Sequence, residues 1–374
     1  MRFLQRSLRG LALVAAGAAA CHVPGAAADE IPLDKDKWRF SSERAFVTSY
    51  KGTPALSLHN AVAWLEGLRF RDGTIEFKVA FPKDRGFVGV RFRDRDDRNF
   101  EHFYLRPHRS GKPDANQYTP VFHGVSGWQI YHGPRFSVPV TYPYGTWIDV
   151  KLVVSGEEAD VYIDSDKPVL HIADLKHEAG EGAIGFDAFL TPAFISDVRI
   201  TPGKAPELTG EPAALPERPE HLVRSWEVSG PVPQMGPDTD IAAAVNAADW
   251  KVLPVESNGI ANLARMGPAG EERNTMLARI TVRAERDMVK PLQFGFSDKV
   301  TAFVNGAPVY GGDNTYRSRD YRFLGTVGRF DTLMLPLKQG RNEIVFAVQE
   351  KFGGWAITAA FDDMAGIEAA PASK

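Results

Sequence analysis

Along most of the chain, hydrophobic and polar positions alternate with a period of two, the mark of strands with one buried face. In "GTIEFKVAF", Ile75, Phe77, Val79 and Phe81 share one face, while Thr74, Glu76 and Lys78 share the other. "FVGVRFR" repeats the pattern, with Val88, Val90 and Phe92 inward and Arg91 and Arg93 outward. "WIDVKLVVSGEEADVYIDS" predicts a hairpin: Ile148, Val150, Leu152 and Val154 alternate, "SGEE" turns, and Val161 and Ile163 return to the core side. "GAIGFDAF" and "AFISDVRI" close the series. No helical pattern of any length interrupts residues 38–200, so a two-sheet sandwich is expected over 31–202.

Residues 202–220, "PGKAPELTGEPAALPERPE", hold five prolines and four glutamates and little to bury. That composition predicts an extended, semi-rigid linker over 203–221. Strand patterns resume from about Leu222 in "LARITVRAER", "FGFSDKVTAFVNG", "LPLKQGRNEIVFAV" and "GGWAITAAF", with a short helix allowed in "DIAAAVNAADW". Asn305-Gly306 sits between strand formers and predicts a tight hairpin, and a turn is expected at Gly340. The expected fold class is therefore all-β: two β-sandwich (jelly-roll) domains, 31–202 and 222–364, joined by the Pro-rich linker, with 365–374 as a tail.

Composition adjusts this picture at three points. The 374 residues suit two ordinary domains. A formal charge of −3 gives no field for nucleic acid, so no nucleic-acid partner is expected. Residues 1–28 read as a signal peptide: Arg2, Arg6 and Arg9 precede the short apolar run "LALVAAGAAA", and small residues at Ala26 and Ala28 mark a cleavage site. Its removal deletes three arginines and no acid, so the mature chain is more negative. The chain is expected to be an exported bacterial-type protein, periplasmic or extracellular. Cys21, the single cysteine, lies in this leader and is the candidate for a lipid anchor, although Ala18 stands where such sites usually carry Leu. No apolar run is long enough for a transmembrane segment.

Candidate chemistry concentrates in "NFEHFYLRPHRSGKPDANQY". With Phe103 and Leu105 inward, His102, Tyr104 and Arg106 point outward. The short turn "DRDDRN" makes this strand the antiparallel neighbour of the one carrying Arg91 and Arg93. One outward face then gathers Arg91, Arg93, His102, Tyr104 and Arg106, with His108 at its end. Flat polar and aromatic side chains in register suit a sugar, whose hydroxyls accept paired hydrogen bonds and whose C–H faces lie on rings. A solvated face with cross-strand charge pairs is the plainer reading. The long segment that follows carries Gln117, Tyr118, Trp128 and Tyr131 beside this face. Trp128 and Tyr131 read equally as stacking platforms or as plugs that pin the loop.

Other signatures are thin. "DRDDRN" clusters oxygen ligands and is a calcium candidate, but its interleaved arginines oppose a divalent cation. No other cofactor or metal is called for. None of the nine histidines falls within 222–374. The loop "GGDNTYRSRDYRFLG" reads as a glycan loop, an internal Arg–Asp network, or a docking surface for the first domain. Neither a nucleophile elbow nor a zinc or phosphate motif appears.

The first domain, on "DGTIEFKVAF", "FVGVRFR", "NFEHFYLRPH" and "GAIGFDAF … AFISDVRI", resembles the concanavalin A-like lectin/glucanase superfamily, and within it the laminin G-like and 3-keto-disaccharide-hydrolase-type domains. The second, on "FGFSDKVTAFVNG", "LPLKQGRNEIVFAV" and "FGGW", is similar to galactose-binding-like jelly rolls. The resemblance implies carbohydrate as the partner. The Glu-x-Asp-x-x-Glu strand of the laminarinase-type members is absent, so no hydrolytic residue carries over. Three readings follow: a carbohydrate-binding protein using the concave sheet of the first sandwich, a glycoside hydrolase or polysaccharide lyase with an unplaced catalytic pair, and a non-catalytic surface scaffold. Binding leads.

Overall fold

The computed structural model describes residues 30–320 and 324–370; the leader and Cys21 lie outside them. The first half runs through β1 (Trp38–Phe40), β2 (Ala45–Tyr50), β3 (Thr53–Leu58), β4 (Ala61–Leu65) and β5 (Gly73–Ala80). It continues through β6 (Phe87–Asp94), β7 (Phe100–Leu105), β8 (Asn116–Phe122) and β9 (Val125–Ser126). Five more strands follow: β10 (Ile148–Ser155), β11 (Glu158–Ile163), β12 (Leu170–Ile172), β13 (Ala183–Phe189) and β14 (Ala193–Pro202). They form two seven-stranded sheets, β1-β4-β13-β6-β7-β8-β9 and β12-β11-β10-β5-β14-β3-β2. The core between them holds the side chains that alternation assigns to it, including Ile75, Phe77 and Val79 from one sheet and Val88, Val90 and Phe92 from the other.

The second half comprises β15 (Ser225–Val228), α1 (Ile241–Ala247), β16 (Lys251–Pro254), β17 (Ala261–Asn262), β18 (Thr275–Ala284) and β19 (Met288–Ser297). It ends with β20 (Lys299–Val304), β21 (Ala307–Asp313), β22 (Asp331–Leu337), β23 (Gly340–Gln349), β24 (Ala356–Phe361) and β25 (Ile367–Ala370). One sheet is ordered β16-β15-β18-β23-β20-β21, with β25 also on β18, and the other β17-β24-β19-β22. Asn305 (φ 51°) and Gly306 (φ 83°) make the expected hairpin turn between β20 and β21, both in the left-handed region that such two-residue loops need. The turn before β23 is a corner rather than a hairpin: β22 pairs β19, whereas β23 pairs β18 and β20, so the chain changes sheets there. Within the stretch expected as a tail, residues 367–370 add a strand against β18.

Between the halves the chain has no regular structure over 205–219, but it is strapped to the first sandwich. The buried Asp160 carboxylate accepts from the amides of Thr209 (2.7 Å) and Gly210 (3.0 Å) and meets His171 Nδ1 at 2.7 Å. The sandwiches also share apolar contacts. Phe122 and Val125 pack into the second core, while Ile260, Val327 and Ala356 join the first. Charge closes the same seam: Lys176 pairs with Asp174 and Glu256, and Glu256 also takes Arg265 Nε at 2.8 Å and the Tyr131 hydroxyl at 2.9 Å.

Candidate functional site

The opposite parity of β6 and β7 builds the outer face. Arg91 pairs with His102 and Gly89 with Tyr104, while Val88, Val90, Phe103 and Leu105 sink into the core. β8 adds Gln117 opposite Tyr104. On the other flank β13 places Asp187 opposite Gly89, and β4 places Trp64 opposite Gly185. Two glycines let flat groups lie down on the sheet. A Cβ at Gly89 would stand 2.4 Å from His102 Nε2, and one at Gly185 would stand 2.9 Å from Trp64 Cδ1. Small positions between large ones thus pave the surface with rings and guanidinium planes, which are only slightly exposed at its floor.

The face divides into two halves. In the first, Asp187 is fully buried and holds Arg91 Nε at 2.6 Å and His102 Nε2 at 3.2 Å. Burial alone would raise the Asp187 pKa, but His102 and Arg91 outweigh it and hold the carboxyl well below the usual range. Arg91 lies 4.4 Å from the Phe100 ring centroid and 5.8 Å from that of Trp64, while Arg39 caps Trp64 at 3.9 Å. Trp64 donates its indole N–H to Asp94 Oδ2 at 2.9 Å. Among the described residues no protein acceptor meets either terminal nitrogen of Arg91, no hydrogen bond is made by His102 Nδ1, and none of these atoms is sealed from solvent. This half is anchored from behind and keeps a narrow solvent contact in front, the Arg91 and His102 side chains each being 10% exposed; it is open in that its outer nitrogens are uncommitted.

The second half is closed. The Tyr104 hydroxyl donates to Gln117 Oε1 at 2.8 Å and accepts from Arg106 at 3.1 Å, and Arg106 also donates to Gln117 Oε1. Gln117 Nε2 donates to the carbonyls of Trp128 (2.9 Å) and Tyr131. Arg106 continues to Asp114 at 3.4 Å. Burial raises the Tyr104 pKa, so the phenol keeps its proton. His108, edge-on to Phe87, accepts from the Gly86 amide at 3.3 Å. Burial lowers its pKa, with Arg106, Arg85 and Arg109 adding to the effect, which leaves it neutral at the rim.

Four expected face residues lie elsewhere. Arg93 has φ 51° at an irregularity in the β6–β13 pairing, and the extra residue turns it off the face. It is completely buried, bonded to the Arg71 carbonyl (2.8 Å), Asp72 (3.0 Å) and the Gly156 carbonyl (2.6 Å). The same bulge returns Asp94 toward Trp64. Tyr118 pairs with Phe103 and therefore faces the core, where its hydroxyl donates to buried Glu101 at 2.6 Å and accepts from the Lys176 amide at 2.8 Å. Tyr131 is buried against Phe136, bonded to Glu256 and to Asn262 Nδ2 at 3.0 Å. Trp128 sits at the seam against Tyr316 and Phe352. In "DRDDRN" the oxygens are engaged by N–H groups: Asp94 takes Trp64 and the Asp97 amide, and Asp96 takes Asn99 and the Arg98 amide. The loop after β21 joins two of its expected roles, since Arg319 pairs with Asp331 at 2.6 Å and Tyr316 faces Trp128.

Trp64, Asp94 and Asp187 complete the open half; Trp64 lay outside the expected set, while Asp94 belonged to the "DRDDRN" cluster and Asp187 was an available carboxylate with no place on the face. The alternation of "AVAWL" carried a signal for Trp64, because Ala61, Ala63 and Leu65 inward sends it outward. Away from this face, an open cavity of about 550 Å³ lies over the opposite sheet, lined by Glu76, Lys78, Asp149, Lys151, Tyr162 and Arg199 among others. Within it Lys78 pairs with Asp149 at 2.9 Å and lies 3.8 Å from Asp197.

No family model matches the chain, and no curated protein matches it. Among solved structures it is similar to the carbohydrate binding module CBM66 from Bacillus subtilis, with 15% identity and a TM-score of 0.34 over 43% of this chain and 93% of that one. The Bacillus licheniformis beta-glucanase matches at 12% identity and a TM-score of 0.36, over 47% of this chain and 99% of that one. A family 35 carbohydrate binding module from an environmental isolate matches at 17% identity and a TM-score of 0.23, over 29% of this chain and 78% of that one. Likenesses of this strength carry no argument about ligand or activity. No helix among the described residues is long and apolar enough to cross a membrane.

Proposed function

We propose that this chain is an exported, concanavalin A-like carbohydrate-binding protein that holds an oligo- or polysaccharide on the outer face of the β1–β9 sheet. The observation that carries this reading is the open half of that face. Arg91 is fixed through Nε by a buried carboxylate, and among the described residues its two terminal nitrogens meet no protein acceptor. Beside it stands His102, locked through Nε2 with Nδ1 free. Polar atoms held rigid before a ligand arrives lose little freedom on binding, and the flat rings around them offer area for C–H faces.

Binding is favoured over hydrolysis by the state of the carboxylates. Asp187 is committed to Arg91 and His102, and Asp94 to Trp64 and the Asp97 amide. A general acid or nucleophile needs an oxygen aimed at the scissile bond. The test is a glycan array spanning neutral, uronate-bearing and sulfated chains, read together with reducing-end release. Retention without release is expected, and it should be lost in Arg91→Lys, which keeps a cation beside Asp187 but removes the planar fork. Release of reducing ends would replace the reading with an enzyme, and equal retention by Arg91→Lys would remove the site.

A further inference from the structure

We propose that the seam between the two sandwiches carries a second saccharide subsite, built from Trp128 of the first and Tyr316 and Phe352 of the second. The inference rests on the carbohydrate reading above and extends it. A ligand on the sheet face would continue past Gln117 onto these rings, so the recognised glycan is a chain rather than a single sugar.

The indole stands at the edge of a seam that polar contacts of the next residue also hold. Its neighbour Gln129 makes the seam contacts: its amide donates to the Gly353 carbonyl at 2.9 Å, its carbonyl accepts from the Val327 amide at 2.9 Å, and its side chain takes the Ser297 hydroxyl at 2.8 Å. Trp128 is only half-buried, lying 5.9 Å from the Tyr316 centroid at 82° and 5.8 Å from that of Phe352 at 57°. Phe352 is 60% exposed. The loop beneath is shaped to receive the indole, since a Cβ at Gly353 (φ 105°) would come within 2.5 Å of Trp128 Nε1.

The polar edges of the patch are unused. Trp355, Trp250 and Trp38 bond their N–H to the carbonyls of Val348, Val245 and Pro32, whereas Trp226 leaves its own unpaired inside the core, where no ligand can reach it. Among the described residues neither Trp128 Nε1 nor the Tyr316 hydroxyl has a hydrogen-bond partner, and neither is sealed from solvent. The exposed Arg317 guanidinium stands 5.0 Å from the Tyr316 centroid. Ring faces bordered by free N–H and O–H donors match the C–H faces and hydroxyl edges of a sugar, whereas an apolar partner would leave those donors unpaired. The loop is anchored beside the face, because Gln117 Nε2 donates to the Trp128 carbonyl at 2.9 Å.

The test is affinity electrophoresis of the full chain in gels carrying laminarin, xylan, levan, alginate or dextran sulfate, with wild type, Phe352→Ala, Trp128→Phe and Arg91→Lys. For the polymer that retards the wild type, Phe352→Ala and Trp128→Phe should each weaken affinity about tenfold, the effect of losing one anchor. A disaccharide of the same polymer should bind wild type and Phe352→Ala equally. Phe352 is exposed, so its removal should leave the melting temperature unchanged and a loss can be read as binding. If both seam variants run like wild type while Arg91→Lys is unretarded, the seam subsite falls and the face stands. Disaccharide binding lost along with polymer binding in Phe352→Ala overturns the chain-length claim. Wild type unretarded by every polymer overturns both sites, and self-association abolished by Phe352→Ala assigns the patch to a second copy instead.

Discussion

The two halves of the outer face use similar residues to opposite effect. On one side Arg106, Tyr104 and Gln117 satisfy one another, and the amide of Gln117 runs on into the loop behind. On the other, Asp187 holds Arg91 and His102 by one nitrogen each, and their remaining nitrogens have no partner among the described residues. An arginine on a strand is therefore not a binding residue by its type. What matters is which of its nitrogens the protein has already used, and a buried carboxylate behind the guanidinium is what frees the front.

Several substitutions separate the halves. The largest expected effect is that of Arg91→Lys, which should lower glycan affinity about hundredfold in a titration against the array-selected glycan. Next, Asp187→Asn should reduce stability by about 3 kcal/mol at neutral pH, because the Arg91 guanidinium loses its buried counter-charge. The folded pKa of Asp187 is depressed, so its stabilisation is present above the ordinary carboxylate pKa of about 4 and fades as pH falls through and below it. Denaturation followed against pH should show the wild-type advantage shrinking in acid; a difference constant down to acid pH would contradict the assignment. Gly89→Ala should then weaken binding about tenfold, because its Cβ would meet His102 Nε2 at 2.4 Å and the Phe103 carbonyl at 2.8 Å and so displace both the ring and its strand, with histidine NMR shifts moving in step. Smallest of all, Tyr104→Phe should lower stability by about 1 kcal/mol through one lost hydrogen-bonded hydroxyl, with affinity within about twofold of wild type.

Much of this architecture was legible in the residues. Period-two alternation put Val88, Val90, Phe92, Phe103 and Leu105 in the core and Arg91, His102 and Tyr104 on the outer face. Arg93 broke the pattern because a bulge adds one residue, and an arginine with φ 51° leaves no mark such as a glycine would. Tyr118 was misplaced for want of a register, since nothing local shows that it pairs with Phe103. Trp128 and Tyr131 looked alike as loop aromatics. Tertiary packing distinguishes them: Tyr131 sinks into the first core against Phe136 and bonds Glu256 across the seam, while the indole stays partly exposed. Asp187 sits about a hundred residues from Arg91, a pairing that strand order creates and spacing cannot disclose.

The most direct measurement is calorimetric titration of the array-selected glycan into wild type, Arg91→Lys and Tyr104→Phe at one pH. The arrangement of the face predicts that Arg91→Lys no longer binds measurably while Tyr104→Phe binds like wild type. Retained affinity in Arg91→Lys, with loss in Tyr104→Phe, would place the ligand on the closed half and contradict the assignment.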